Sequence, residues 1–429
     1  MTSLLENVAE HTLENGLKVL LKRIPNSSAI SNWVWYRAGS RYESPGMTGI
    51  SHWVEHMLFK GSKAFTKDMI DRLLTKHGGI FNAFTSQDFT AYFETLPPRQ
   101  LDLALRIEAD RMQNAVFDPK EVEAERTVVI SEREGNENDP AYLLEEEVLS
   151  AAFRAHPYGQ PVIGWRSDLE RMTRDDLYSY YRRFYAPDNA TLVLVGRFDP
   201  DVALRRIDEL FSPIPPSRAP KINVPEEPTQ MAERRVTVRR PGNAEYLMMA
   251  FHAPSISHED AYAMMLLDAV MSGAKAVKSG PTFERSGRLY RALVEKGVAA
   301  YAYSVFMQSQ DPNLLVFFAV ARSGVSATKI EKVLLREIDK ICSRPPTRAE
   351  MRMALNQTEA QFSYATDGVT AQAYLLGSFE TRTGYKYLAT LRDELRRVTP
   401  EQVRVVARKY LHESNRTVGM FIPTRGNDE

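Results

Sequence analysis

The 429-residue sequence has one cysteine, no excess of charge of either sign and no long apolar run, and each shortage removes a class of function. A lone Cys342 permits neither an internal disulfide framework nor a zinc site built from cysteines. Lys+Arg and Asp+Glu balance at 55 each, with no block of five like charges, so the basic stripe of a nucleic-acid binder is missing. The longest apolar run, Leu314 to Ala321, falls far short of the roughly 20 residues that span a bilayer. The N-terminal MTSLLENVAEHTLENG has no basic start followed by an apolar core, so it does not read as a signal peptide. The expected location is cytoplasmic, or periplasmic if a leader has been removed. What remains is ordinary globular protein, 43% hydrophobic and 26% charged, with length for two or three domains.

One segment departs from that composition. Ser212 to Pro228 (SPIPPSRAPKINVPEEP) carries six prolines, which cannot donate to helix or sheet ladders. It reads as an extended linker near the middle of the chain, a tether whose length would let two halves open. The expected division is residues 1–211, a linker over 212–233, and residues 234–429.

The two halves carry matching text. Leu169 to Leu177 (LERMTRDDL) opens a helix that ends near Tyr185, followed by a buried strand over Asn189 to Val195. Leu395 to Val403 (LRRVTPEQV) repeats the opening, followed by Tyr410 and the strand-like Asn415 to Phe421. In both copies a threonine stands at the N-cap with acidic or amide residues in the first turn. Each half also begins with strand-like text, Gly16–Lys22 then Ala29–Tyr36, and Val236–Val238 then Tyr246–Phe251. Helical periodicity follows, as in Asp260 to Met271. Strand pairs and helices without strict alternation predict duplicated α+β halves.

The chemistry-bearing stretch is Gly49-Ile50-Ser51-His52-Trp53-Val54-Glu55-His56-Met57-Leu58-Phe59-Lys60-Gly61. A helix puts His52 and His56 one turn apart on one face, close enough to ligate one ion, with Glu55 bordering that face. Catalytic zinc takes such imidazoles and keeps a fourth position for water. A third ligand should be a carboxylate or imidazole on another element. Asp118-Pro119 starts a helix, with Asp at the N-cap and Pro at N1, that runs through Glu125 and Glu132. These two are two turns apart on one face with Val128 and Val129 between them. Carboxylates beside valines are costly to bury unless they meet a cation, although a helix so rich in glutamate also fits a solvated face.

The order His-x-x-Glu-His is the inverted zinc motif. With Glu132 placed 76 positions beyond His56 and Glu125 seven before Glu132, the sequence resembles the pitrilysin/insulinase family of zinc peptidases, and within it the bacterial and mitochondrial processing-peptidase branch. Gly78 to Ser86 (GGIFNAFTS) resembles the family's active-site edge strand. The linker and the duplication resemble its two-halves layout, in which each half is a mostly antiparallel sheet covered by helices and the halves face one another around a chamber. The resemblance implies Zn2+ held by His52, His56 and Glu132, with Glu55 as the catalytic base. It makes Glu125 an acidic residue that supports the ligands without joining them. It assigns substrate binding to Asn82, Ala83 and Phe84, whose strand would take an extended peptide by main-chain pairing, and to Tyr301.

The family also supplies an arginine to the bound substrate from the second half. In Arg288-Leu289-Tyr290-Arg291-Ala292-Leu293-Val294-Glu295-Lys296-Gly297-Val298-Ala299-Ala300-Tyr301 the tyrosine position is filled, but Val294 stands where the arginine is expected. Either Arg288 or Arg291 reaches in, or a second subunit carrying an Arg/Tyr pair completes the site, as in relatives that split the labour. On a continuous α-helix Arg291 would point about 60° away from position 294. Met271 to Gly287 resembles the family's glycine-rich loop. The expected protein is therefore a zinc endopeptidase for unfolded or short peptides, working as a homo- or heterodimer, without nucleic acid and without a membrane span. The alternatives are a non-catalytic assembly subunit of the kind found in respiratory complexes, with a vestigial zinc site, and a structural zinc site, which would close all four positions with protein ligands. His11, His77, His156, His252, His258 and His412 show no partner pattern and read as structural or exposed.

Overall fold

The computed structural model describes residues 2–219, 222–274 and 286–424. Its strands are β1 (Val8–Thr12), β2 (Lys18–Arg23), β3 (Ile30–Tyr36), β4 (Ile80–Thr85), β5 (Thr90–Leu96) and β6 (Ala190–Gly196) in the first half. The second half holds β7 (Arg234–Pro241), β8 (Tyr246–Ala253), β9 (Ala299–Phe306), β10 (Asn313–Ala321) and β11 (Arg416–Thr424). The first sheet runs β1-β2-β6-β3-β5-β4 and the second β7-β11-β8-β10-β9. Without β1, the two orders are the same topology. Each contains one parallel pair, β2 with β6 and β7 with β11, in an otherwise antiparallel sheet. The halves are α+β duplicates, and the apolar run Leu314–Ala321 belongs to β10, buried along its whole length.

The repeated text has a shared physical job. Thr173 and Thr399 each close a capping box, with Asp176 and Gln402 answering from the third helical residue. The helices Arg174–Phe184 and Pro400–Tyr410 then feed β6 and β11 through an asparagine in each copy. Asn189 Nδ2 donates to Phe184 O at 2.8 Å and Arg37 O at 3.1 Å; Asn415 Nδ2 donates to Tyr410 O at 2.8 Å and His252 O at 2.9 Å.

The halves exchange helices across their interface. On β3, Val34 and Tyr36 face the first half's own helices, while Trp33 and Trp35 face the other way. The helix Val369–Arg382 of the second half covers that other side, packing Ala373 and Leu376 against the tryptophans. Reciprocally, Pro140–Ala152 of the first half lays Leu144 and Val148 on Met248, Val316 and Phe421 of the second sheet. With both sheet faces covered, the central strands β3 and β6 are buried along their whole length and mostly apolar, with Ser31, Asn32 and Thr191 as buried polar exceptions. Polar contacts reinforce the seam: His156 Nε2 lies 2.9 Å from Asp311 Oδ2, which also accepts from Arg41 Nε at 2.6 Å. Two histidines without an expected partner thus act between the halves, since His252 Nε2 meets Ala152 O at 2.9 Å.

The linker departs from the expected loose tether. It has no helix or strand among its described residues beyond 212, but it is strapped down. Asp188 accepts Ser217 N and Arg218 N, both at 2.9 Å, and Glu227 accepts Arg154 N, Ala155 N and His156 N at 2.9–3.1 Å. Fixed carboxylates satisfying several backbone donors resist the sliding an open-and-close tether would need. The glycine-rich segment is described only to Ala274 and from Ser286; the rest, including Gly280, lies outside the described residues. No helix among the described residues is long and apolar enough to cross a membrane.

Gly377 marks how close the exchanged helix comes. A Cβ there would stand 2.0 Å from Trp35 Nε1, so Gly377→Ala forces a buried indole or the helix to move. Overpacking of this kind costs about 1–3 kcal/mol, and chemical denaturation should show a loss of that size; an unchanged midpoint would mean that the interface yields easily.

Candidate metal centre

The short helix Ile50–Met57 carries the histidines, and its start is fixed by tertiary contacts. Gly49 adopts φ 85°, and a Cβ there would lie 2.3 Å from Ile163 O, so both conformation and space require glycine. The Glu43 carboxylate, buried and pushed up to about 7 by desolvation, accepts Gly49 N at 2.8 Å and Ser51 N at 2.9 Å. Ile50, Trp53, Val54 and Met57 anchor one side in the first core. His52 and His56 are left on the other side, their ring centroids 4.6 Å apart.

The second contributor is the helix Pro119–Asn136, capped by Asp118, which accepts Lys120 N and Glu121 N. Val122 and Val129 are buried while Val128 is 49% exposed, so the glutamate face is neither wholly solvated nor wholly core. Glu125 and Glu132 turn towards the histidines. Glu132 Oε1 lies 3.7 Å from His52 Nε2, and its Oε2 lies 3.6 Å from His56 Nε2. One ligand atom from each of the three lies within 4.8 Å of the others. Two ligands of a tetrahedral zinc, each about 2.0–2.1 Å from the ion, sit about 3.3–3.4 Å apart. The observed spacings are a few tenths of an ångström wider, too long for hydrogen bonds and right for a shared ion. His52, His56 and Glu132 thus come together as the spacing requires.

Glu125 stays behind this triad. Its Oε1 is 2.9 Å from His56 Nδ1, and its Oε2 pairs with Lys60. Burial raises the Glu125 carboxyl, but the bonds from His56 and Lys60 outweigh it and hold the carboxyl below its ordinary value. A proton on His56 Nδ1 therefore points at Glu125, leaving Nε2 towards Glu132, the orientation a metal ligand needs. Burial depresses His56, yet the Glu125 bond and the charges of Glu55, Glu125 and Glu132 together raise it. His52 is lowered to about 3, first by desolvation and then by His56, so it presents a neutral imidazole.

Glu55 is nearly buried, and desolvation raises its carboxyl although a hydrogen bond from Thr85 works against the rise. Thr85 ends β4, the outer strand of the first sheet. Asn82 is exposed on that strand, Ala83 buried, and Phe84 part of an aromatic cluster with Trp33, Trp35 and Tyr374. The Phe84 ring is thus committed to packing, and its main chain is what the open edge presents. A cavity of about 540 Å³, within the range of small-ligand sites, is lined by His52, Thr85, Glu132 and Tyr142, with Met307 and Ser309 from the second half.

Tyr301 is not among the residues lining that cavity. It sits on β9, the second sheet's counterpart of β4, with its ring 6.0 Å from Phe318. Neither candidate arginine reaches the centre. Arg288 pairs with Glu350, Nε to Oε1 at 2.8 Å, and Arg291 Nη2 donates to Ser286 O at 2.9 Å. The segment Tyr290–Val294 is a π-helical turn, with Glu295 N bonded to Tyr290 O, in place of the expected continuous α-helix. The α-helical angle between Arg291 and Val294 therefore does not apply. The sequence reading missed the hydroxyl of Thr85, the ammonium of Lys60 and the carboxylate of Glu43. Lys60 is four residues past His56, a readable spacing; nothing local announces Glu43.

Removing an outer partner of a ligating histidine typically weakens metal binding 10- to 100-fold. Glu125→Ala should do so in equilibrium dialysis against zinc, and an unchanged affinity would show that Glu125 does not orient His56.

Two family models match most of the chain. Residues 18–165 match "Insulinase (Peptidase family M16)" and residues 171–358 match "Peptidase M16 inactive domain". The first match holds all four histidine and glutamate positions of the centre and Glu55. The zinc protease YmxG of Bacillus subtilis is 25% identical over 95% of this chain and 96% of its own length. The zinc protease PqqE of Helicobacter pylori is 27% identical over 96% of this chain and 92% of its own. The beta subunit of the mitochondrial-processing peptidase of Lentinula edodes is 25% identical over 96% and 89%. Among solved structures, a protease from Helicobacter pylori superimposes with a TM-score of 0.91 at 26% identity, over 97% of this chain and 99% of that one. A peptidase M16 inactive domain from Pseudomonas fluorescens shares the fold at TM-score 0.86 and 18% identity, over 98% of each chain. On the two models together, and on the relatives and the fold they accompany, this chain belongs to the M16 (pitrilysin/insulinase) peptidase family.

Proposed function

We propose that this chain is a zinc-dependent endopeptidase for unfolded or short peptides, with His52, His56 and Glu132 as the zinc ligands. The observation that carries the reading is Glu55, a carboxylate nearly buried beside the ligand cluster, held by the Thr85 hydroxyl and influenced by the Thr85 backbone N–H. A purely structural helix gains nothing from burying such a group. Bound there, zinc supplies Lewis acidity for a peptide carbonyl and for a water. Glu55 takes the proton from the attacking water and returns it to the leaving amine. The open edge of β4 takes the peptide in extended form by main-chain pairing, next to the ligand helix. A cavity of about 540 Å³ has room for a few residues of such a strand and for no folded domain.

The missing oxyanion donors point to a second subunit. With Val294 in place of an arginine, Arg288 held by Glu350 and Arg291 turned to Ser286, the arginine/tyrosine pair comes from a homologous partner. The likeness to a processing-peptidase beta subunit supports this division.

Glu55→Gln should keep stoichiometric zinc and lose 10²- to 10⁴-fold in turnover of a quenched peptide, the usual contribution of a general acid–base group. His52→Ala with His56→Ala should lose the metal. Full zinc in that double variant overturns the ligand set, and zinc without cleavage in any condition favours a non-catalytic assembly subunit. An oxyanion donor is worth roughly 10²- to 10³-fold, so the isolated chain should be slow, and gain by that order when the partner is added. Full activity of the purified chain, undiminished by Arg288→Ala with Arg291→Ala, would show that no arginine donor is required.

A further inference from the structure

The edge strand that would receive the peptide and the carboxylate that would take the proton are joined by one hydrogen bond. Thr85 Oγ1 donates to Glu55 Oε2 at 2.6 Å. The direction of that bond follows from its neighbours. Thr85 Oγ1 is also 3.1 Å from Thr90 Oγ1, but Thr90 commits its own proton to Ala38 O at 2.8 Å. Thr90 is fully buried and belongs to β5, which pairs with β4 in register, Thr85 opposite Thr90. The hydroxyl proton of Thr85 goes to the shorter contact, the carboxylate.

We propose that Thr85 is a positioning residue for Glu55: its hydroxyl occupies Oε2, sets the carboxylate plane and leaves Oε1 as the oxygen that accepts the proton of the attacking water. This rests on the reading of Glu55 as the base. The bond also makes the base sensitive to β4, because a strand shift that seats a peptide moves Thr85 with it. Among the described residues no hydrogen bond joins the Thr85 hydroxyl to a ligand atom; its contacts are Glu55 and Thr90. Its loss acts on the chemical step, with binding of metal and of extended peptide left as they were.

A cycle of Thr85→Val, Thr85→Ser, Glu55→Gln and Thr85→Val with Glu55→Gln tests the assignment in the zinc-loaded full chain, with its partner if one is needed for activity. Three readouts serve: turnover, zinc content, and affinity for an uncleavable reduced-bond peptide. Thr85→Val is expected to lower kcat by about 10- to 100-fold, the weight of a hydrogen bond to a charged group. KM, zinc stoichiometry and peptide affinity should stay within about twofold, and Thr85→Ser should recover most of the rate. In the Glu55→Gln background the valine should cost little more, since both changes disable one unit. A valine effect as large in that background as in the wild type overturns the proposal, as does loss of zinc or of peptide affinity in Thr85→Val. A Glu55→Gln variant as active as the wild type sinks the underlying base assignment instead, and the two failures are told apart by that single comparison.

Discussion

Three carboxylates converge on two imidazoles carried by an eight-residue helix, and the cost of holding them there governs the rest of the first half. Glu55 and Glu125 lose hydration as they are buried, while Glu132 stays exposed, and the loss is made good only by a cation or by donors in fixed positions. Glu125 has both, in His56 and Lys60. Glu55 has the Thr85 hydroxyl, and Glu132 faces both Nε2 atoms at distances that no hydrogen bond explains. A helix of this length is not stable alone, so its position derives from its surroundings. Trp53 and Val54 root it in the core, Gly49 lets it lie against the Ile163 backbone, and Glu43 holds its first amides.

The local parts of this arrangement were legible in the sequence because local physics determines them. The i, i+4 histidines, the Asp118-Pro119 helix start and the two threonine caps each depend on residues within a turn. Their spacing alone brought Glu125 and Glu132 into consideration, and it was the resemblance that assigned one as ligand and the other as supporter; the structure pairs Glu125 with His56 and Lys60. What could not be read depends on partners far along the chain. Thr85 stood inside a recognised strand, yet its hydroxyl matters only because the sheet sets it against Glu55. The helix exchange shows in Gly377, a residue that looks unremarkable until Trp35 is placed against it. The π-helical turn at Tyr290–Val294 had no signal in periodicity, and the α-helical geometry drawn for Arg291 failed there.

The strapping of the linker changes how access to the centre has to be pictured. Proline content fixes extension, and in this chain Asp188 and Glu227 convert extension into attachment by accepting five backbone amides among them. The helix exchange adds two apolar seams and the Arg41–Asp311–His156 contact. The linker straps all hold to the first half, so opening the halves would break the two apolar seams and the Arg41–Asp311–His156 contact.

The duplication explains why one centre and not two. After β3 the first half places a helix whose solvent side holds His52, Glu55 and His56. After β8 the second half places Ala261–Ser272, with Met264, Leu266, Leu267 and Val270 all buried and no histidine among them. The same topological position carries the histidine pair in one copy and core packing in the other. The outer strands diverge in the same sense, since β4 carries Thr85 to the base while β9 turns Tyr301 towards Phe318. A half relieved of metal ligands is free to fill its core, and that core lies under the sheet that the first half's Pro140–Ala152 helix covers. That helix begins only four residues after Asn136, where the glutamate helix ends. The half that carries the histidine pair is thereby packed against the half that lacks it, through the chain segment that leads directly out of Glu132.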